Sequence, residues 1–335
     1  MFIFAHINAN IMSNSLIYRL NSGKNNKMLY YIRNYAMLAM PKCLFRNRLK
    51  SKIASLKNRS DKEYILDRVN YYNKLQIGTE LPAHAPKLSE HKLKGKKVYF
   101  FDTYRYTRWF PSSLKWVHIP GDVNYVPEHA AIIKSRPVGE NNANGVVLNL
   151  NKIRHFIFVK DAISFRDKKD VAVFRGKITG KPQRIEFMKK WFGHPLCDLG
   201  DTSKSNEENK QWITEKMSIS EHLNYKFIFA IEGNDVASNL KWVMSSNSVA
   251  VMPQPTCETW FMEGRLQPNV HYIEIKPDFS DVEERLNYYI EHPEEAEQII
   301  RNANEYVQQF RDKEREELIS LLVLDKYFRN TGQLQ

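Results

Sequence analysis

Short apolar runs alternate with helical patterns through the second half of the chain. Four runs have the length of strands, at residues 170–174, 227–231, 248–252 and 270–275. Helical patterns follow three of these runs, at residues 183–191, 238–246 and 280–290. The last begins with Ser280 and Glu283 at capping-box spacing. Alternation of this kind predicts a mostly parallel sheet covered by helices on both faces.

The first half is patterned less regularly. A helix is predicted at residues 61–75, and strand-like runs follow at residues 97–101, 116–119 and 130–134. Two helices rich in acids and amides close the chain, at residues 293–311 and 313–328. A chain of 335 residues exceeds the usual size of one core. We therefore predict an arm at 1–60, domains at 61–165 and 166–312, and a C-terminal helix at 313–335.

Positive charge is concentrated in the arm. Eleven of the 50 Lys and Arg residues, and none of the 38 Asp and Glu residues, lie in residues 1–60. Apolar and aromatic residues are interspersed with the basic ones, which is typical of a segment that contacts an anionic membrane leaflet. An ordinary basic helix packed on the rest of the protein is an equally good interpretation of this segment. A nucleic-acid-binding arm is a third interpretation, but the chain has no helix-turn-helix, zinc-finger or RNP-like pattern.

The cysteine spacing and the N-terminal sequence favour a reducing compartment. The three cysteines lack any CxxC or metal-ligand spacing. His6, Asn8 and Asn10 interrupt the apolar start, so we expect neither a signal peptide nor a membrane span there. Translation from Met28 instead of Met1 is also open. These features predict a cytoplasmic location.

A basic, glycine-containing loop follows the run at 170–174. Its cations are Arg175, Lys177, Lys181 and Arg184, and Gly176 lies among them. Cations and backbone N–H groups at a helix start can bind a diphosphate. The spacing is neither that of a Walker A loop nor GxGxxG. A solvated basic loop is the alternative.

A second strand-to-helix junction spans residues 232–241. Gly233 relaxes the backbone, and Ser238 or Asp235 is predicted to cap the helix. Asn239 and Lys241 are expected to face outward, where a nucleotide could meet them. An ordinary turn explains the same residues equally well.

Carboxylates supply two further candidates. Glu258 could bind ribose or sugar hydroxyls, while the neighbouring Trp260 and Phe261 are more typical of a core or a stacking wall. Asp122, in a loop of the first domain, could act as a general base towards an acceptor hydroxyl. Three other carboxylates compete for that role: Asp102, Glu128 and Asp161. The chain has no HExxH motif and no Asp-x-Asp triplet, so we predict no essential metal or other cofactor.

These motifs together resemble glycosyltransferase family 90, which includes Rumi-type protein O-glucosyltransferases and bacterial lipopolysaccharide core transferases. The resemblance covers about residues 95–310. Residues 174–176 with Arg184 are similar to the family's donor-binding segment, and residues 225–241 and 260–272 to its C-terminal signature. It implies an α/β GT-B-like fold, in which two Rossmann-like domains face each other across a cleft.

The resemblance also implies chemistry: inverting transfer of a hexose, glucose or galactose, from a UDP-sugar bound at 166–312 to an acceptor bound at 61–165. Asp122 falls where the family's general base lies. Donor-binding positions are Arg175, Gly176, Thr179, Arg184, Gly233, Ser238, Asn239, Lys241 and Glu258. Asn239 stands where many relatives carry an Arg that touches the diphosphate.

The bacterial members imply the inner core of lipopolysaccharide as the acceptor. With the basic arm, this predicts a cytoplasmic enzyme peripherally attached to the inner membrane through residues 1–60, with no nucleic-acid partner. The competing hypothesis is a non-catalytic protein that binds glycans, or that binds nucleic acid through the arm.

Overall fold

A parallel sheet organises the second half of the chain in the computed structural model, which describes residues 23–335. Its strands, in chain order, are β4 (Lys169–Gly176), β5 (Cys197–Asp201), β6 (Tyr225–Phe229), β7 (Val249–Met252) and β9 (Ile273–Glu274). They are arranged in the order β5-β4-β6-β7-β9, and all four pairings are parallel. The carboxyl ends of the strands therefore lie at one edge.

Both faces of this sheet are buried. Every residue of β6 and β7 is buried. Successive residues alternate between two cores: Phe227 and Phe229 contact one, and Ile228 the other. Burial on both faces is why these strands are continuous apolar runs and not alternating ones.

Four short strands form two smaller sheets. They are β1 (Ala131–Ile133), β2 (Ser135–Pro137), β3 (Gly145–Val147) and β8 (Cys257–Thr259). β1 pairs with β3 in parallel, and β2 pairs with β8 antiparallel. Because β8 comes from the second half of the chain, the β2–β8 pair ties the two halves together.

The helices surround the sheets. In the described part of the chain they are α1 (Lys27–Ala39), α2 (Cys43–Ala54), α3 (Lys62–Tyr72), α4 (Lys97–Thr107), α5 (Lys152–His155), α6 (Pro182–Trp191), α7 (Ile219–His222), α8 (Leu240–Val243), α9 (Val282–Glu291), α10 (Pro293–Gln308) and α11 (Lys313–Asn330). Short 3-10 helices lie at Ser55–Asn58, Leu88–Glu90, Phe165–Asp167, Lys210–Trp212 and Glu263–Arg265.

The last helix returns to the first half of the chain. α11 packs against α2, α3 and α4. A buried ion pair joins Arg68 of α3 to Glu316 of α11. Trp260 Nε1 donates a 2.5 Å hydrogen bond to the same carboxylate. Three distant segments therefore meet at one buried charge, which holds the C-terminal helix in place.

Most predicted elements of the second half are present with shifted ends. The predicted strands at 170–174, 227–231 and 248–252 correspond to β4, β6 and β7. The helix predicted at 238–246 shortens to α8, and neither Ser238 nor Asp235 caps it; its N-cap is Asn239, whose side chain makes no capping bond.

One strand prediction was wrong. Residues 97–101 begin helix α4 and form no strand. Their aromatic and β-branched composition is typical of strands, but the buried positions continue at helical spacing through Tyr99, Thr103 and Tyr106. The five-residue window was too short to separate the two periods.

Two smaller predictions also need correction. Residues 116–119 contribute a single bridge, between His118 and Ile132, and form no strand of their own. The capping box predicted at Ser280 is absent, because Ser280 Oγ donates to Asp278 and Asp281 is the N-cap of α9. A closer acceptor outcompeted Glu283.

The structure is thus a mixed α/β fold with a parallel sheet. The two-domain arrangement and the boundaries at 60, 165 and 312 stay predictions. No helix within residues 23–335 is long and apolar enough to cross a membrane. The expectation for residues 1–12 lies outside the described residues.

Removing the Glu316 carboxylate should strongly destabilise the protein. Glu316→Ala leaves the Arg68 guanidinium buried without its counter-charge, and we expect the free energy of unfolding to fall by about 3–5 kcal/mol. Urea unfolding followed by circular dichroism measures this. Glu317→Ala is the matched control, because the half-buried Glu317 pairs with the partly exposed Lys52 and Arg105; its loss should stay below about 1 kcal/mol. Equal losses would contradict the assignment.

Candidate functional site

A cleft of about 320 Å³ lies at the carboxyl ends of β4 and β6. Since these strands pair in parallel, the loops that follow Gly176 and Ile231 emerge side by side. Asp122 and Arg154, from earlier in the chain, complete the wall. The lining residues are Asp122, Arg154, Phe174, Arg175, Gly176, Lys177, Lys181, Arg184, Gly233, Asn234, Asp235, Val236, Ser238 and Asn239.

Arg184 lies between the two loops. Its Nη2 donates to the carbonyl of Ile231 at 2.7 Å, and its Nε to that of Glu232 at 3.0 Å. Burial, followed by the nearby charge of Arg154, lowers the pKa of Arg184 to about 10. A half-buried guanidinium bonded only to neutral carbonyls keeps an uncompensated charge that an anion in the cleft would satisfy.

Two glycines make room for this guanidinium. A Cβ at Gly233 would lie 3.1 Å from Arg184 Nη2, and a Cβ at Gly176 would lie 3.2 Å from Nη1 and 2.6 Å from Phe174 Cζ. A side chain at either position would force Arg184 to shift, and at Gly176 it would also clash with the ring of Phe174. The glycines of both motifs therefore serve the position of one cation.

The other cations of the cleft differ in how far they are neutralised. Arg175 pairs with Asp198 at 2.6 Å, so its charge is mostly compensated. Lys181 donates to the neutral amide of Asn234. Arg154 and Lys177 are exposed and form no ion pair within the described residues. The cleft thus holds an excess of positive charge, which favours a ligand with several negative charges.

Asp122 lines the same cleft as these cations. Its Oδ1 accepts a 2.7 Å hydrogen bond from Lys134 Nζ, and its Oδ2 a 3.1 Å bond from Asn234 Nδ2. Burial opposes ionisation, but the bond and charge of Lys134, and the bond from Asn234, hold the pKa of Asp122 below its ordinary value. An ionised carboxylate in an anion-binding cleft can accept a proton from a bound hydroxyl.

The rival carboxylates lie elsewhere. Asp102 is buried, and it accepts hydrogen bonds from Tyr30 and from the backbone of Lys152. Asp161 forms a buried ion pair with Lys168 at 2.8 Å. Glu128 is exposed on the surface. Only Asp122, of the four candidates, lines the cleft.

Two predicted donor residues do not reach the cleft. Lys241, expected to face outward, is fully buried and pairs with Glu263. Glu258 lies opposite Arg136 in the β2–β8 register, and the two form a buried ion pair at 2.7 Å. Each charge is held inside the protein by a partner distant in the sequence, which the local pattern could not reveal.

Of the remaining predicted donor residues, some line the cleft and one does not. Ser238 and Asn239 line the cleft, and Asn239 Nδ2 also donates to the carbonyl of Phe229 at 2.9 Å. Thr179 is exposed beside Ser203, outside the lining. Sequence reasoning missed Arg154, which follows an apolar stretch and carried no motif. It reaches the cleft only because α5 follows β3 to this edge.

No group of three or more His, Cys, Asp or Glu side chains in residues 23–335 is arranged to hold a metal ion. Independence from metal stays a prediction, since only an assay can test it.

Comparison with known proteins gives concordant similarities. The family described as Glycosyl transferase family 90 matches residues 148–327. O-glucosyltransferase LpsA of Dichelobacter nodosus is 42% identical over 264 residues, 79% of this chain and 82% of that protein. Protein O-glucosyltransferase 3 of Homo sapiens is 26% identical over 143 residues, 41% of this chain and 28% of that protein. The family match contains both strand-end loops and Arg154, whereas Asp122 precedes it.

Neutralising the unpaired cations should weaken anion binding. Arg154→Gln and Lys177→Gln each remove a charge with no ion-pair partner among residues 23–335, so affinity for inorganic pyrophosphate should fall about tenfold. Isothermal titration calorimetry at two salt concentrations measures this. Lys189→Gln is the control, because Lys189 is exposed on α6 and pairs with Glu186. Unchanged affinity in both cleft variants would show that the anion lies elsewhere.

Proposed function

Because this chain belongs to glycosyltransferase family 90, we propose that it transfers a hexose from a UDP-sugar to the inner core of lipopolysaccharide, with inversion at the anomeric carbon. Membership establishes a glycosyltransferase. The donor, the acceptor, the stereochemistry and the base are the proposal. Glucose is the preferred hexose over galactose, since a relative at 42% identity is named an O-glucosyltransferase.

The excess of positive charge in the cleft carries the donor assignment. A diphosphate between Arg184, Lys177 and Arg154 would meet three charges that have no carboxylate partner in the described structure. These charges also stabilise the diphosphate as it leaves, when its negative charge grows. This arrangement replaces the Arg that many relatives carry at the position of Asn239, with Arg154 and Lys177 supplying the charge from other segments.

Asp122 is the proposed base. It lines the same cleft as the cations, and we infer that the acceptor hydroxyl it binds attacks the anomeric carbon from the side opposite the leaving diphosphate. Attack from that side inverts the configuration. Tyr125 and Val126 expose apolar surface in the same loop, where the ring of an acceptor sugar could pack.

Removing the base should abolish turnover without loss of donor binding. Asp122→Asn keeps the shape but cannot take a proton, so kcat should fall by about 10²–10⁴. UDP release from UDP-glucose with truncated lipopolysaccharide core measures it, and NMR of the product reports the anomeric configuration. The reaction should proceed in the presence of EDTA.

Glu128→Gln is the matched control, because Glu128 is an exposed carboxylate near the same loop. An active Asp122→Asn variant would remove Asp122 from the mechanism but leave the enzyme. UDP-sugar binding without turnover in the native protein would instead favour a non-catalytic glycan-binding protein.

The arm supplies the proposed contact with the cytoplasmic face of the inner membrane. Met28 and Ile32 project from one side of α1, with Met28 72% and Ile32 54% exposed. The other side is fixed to α4, because Tyr30 donates a 2.9 Å hydrogen bond to Asp102. Basic residues are interspersed along residues 23–60, where no acidic residue occurs. An exposed apolar face with surrounding positive charge fits an anionic bilayer.

Placing charge on this face should prevent membrane binding. For Met28→Glu combined with Ile32→Glu, we expect at least about a tenfold loss of binding to vesicles that contain anionic phospholipid, measured by co-sedimentation. Ile77→Glu is the control, since Ile77 is 89% exposed but lies outside the arm. Binding that persists, or binding of generic duplex DNA with a steep salt dependence, would contradict a membrane role for the arm.

A further inference from the structure

One buried lysine is shared by two carboxylates at the floor of the cleft. Lys134 follows β1 and is only 2% exposed. Its Nζ lies 2.7 Å from Asp122 Oδ1 and 2.6 Å from Asp235 Oδ2. Asp122 belongs to the loop before β1 and Asp235 to the loop after β6, so the ammonium joins the two walls.

The two carboxylates differ in what they can do. Asp122 is partly open to the cleft and accepts a second bond from Asn234. Asp235 is buried. Its Oδ2 has no hydrogen-bond partner within the described residues, so this oxygen interacts with Lys134 as an ion pair alone. Both carboxylates line the cleft, but the side chain of Asp122 is 25% exposed and that of Asp235 only 6%, so Asp122 is the one more open to a substrate.

Other polar groups face this cluster from the neighbouring elements. Arg154 of α5 acts on Asp122, while Tyr99 of α4 and His155 of α5 lie near Lys134. Burial raises the pKa of Tyr99 and lowers that of His155, so both are neutral near pH 7. Lys96 faces the Asp122 loop at Gly121.

The charge balance changes during the proposed reaction. The O–H bond of the acceptor breaks and its proton moves to Asp122, as the oxygen bonds to C1 and UDP leaves with the electron pair of the C1–O bond. Asp122 then no longer balances Lys134. A buried ammonium without a counter-charge is strongly unfavourable, and this would oppose the proton transfer.

We propose that Asp235 is a positioning residue that keeps Lys134 compensated when Asp122 takes the proton, so that Lys134 can orient the base without suppressing its basicity. The proposal rests on the assignment of Asp122 as the base. It gives the buried ion pair a role in the reaction beyond holding the two loops together.

Opposite changes are expected in two variants. Asp235→Asn leaves Lys134 acting on Asp122 alone, so the pKa of Asp122 should fall, the acid limb of kcat/KM should move to lower pH, and kcat should fall about tenfold through weaker basicity. Lys134→Gln leaves two carboxylates close together, so the pKa of Asp122 and the acid limb should rise. Lys134→Arg keeps the charge, so the acid limb of kcat/KM should lie at the same pH as in the native protein.

Carbon-13 NMR of the Asp122 carboxyl measures its titration in the resting protein, without any turnover. The control is Asp161→Asn, which breaks a comparable buried pair with Lys168 outside the cleft and should leave the Asp122 titration unchanged. If Asp235→Asn lowers the stability of the protein but changes neither the pKa of Asp122 nor the acid limb of kcat/KM, Asp235 has a structural role alone. An active Asp122→Asn variant would show that Asp122 is not the base. The NMR titration would still show whether Asp235 and Lys134 control the pKa of Asp122, because it does not depend on turnover.

Discussion

The parallel pairing of β4 with β6 is the constraint on which the cleft depends. It brings the loop after Gly176 beside the loop after Ile231, so that one guanidinium, Arg184, can bond to both. The buried faces of the sheet hold this register, because a shift by one residue would exchange Phe227 and Ile228 between the two cores. Anion binding is thus a consequence of strand register, and not of any single motif.

The cations of this protein differ in whether a carboxylate neutralises them. Cations distant from the cleft, such as Arg68, Arg136 and Lys241, have buried carboxylate partners and hold segments together. Arg154 and Lys177, in the cleft, have none among the described residues. Two cations of the cleft thus stay uncompensated while the buried cations are paired, and this favours the capture of a diphosphate there.

The sequence predicted the parts of the fold that depend on local periodicity. The apolar runs at β4, β6 and β7 could be read directly, and so could the loops that carry Arg175, Arg184 and Gly233. Lys241 and Glu258 could not be placed, because their partners Glu263 and Arg136 lie 22 and 122 residues away. The helix at 97–107 was missed since its first turn, taken alone, has the composition of a strand. Long-range pairing decided the first two cases, and a sequence window too short to show the helical period decided the third.

Lys134 shows why pairing distant in sequence matters for chemistry as well as for stability. A lysine bonded to Asp122 alone would orient that carboxylate but would also stabilise its ionised form, so orientation would come at the expense of basicity. Asp235 supplies a second negative charge from the other wall, within 2.6 Å of the same ammonium. Lys134 then fixes the position of Asp122 while its charge is divided between two carboxylates. A base held by a shared cation can therefore be both rigid and able to accept a proton.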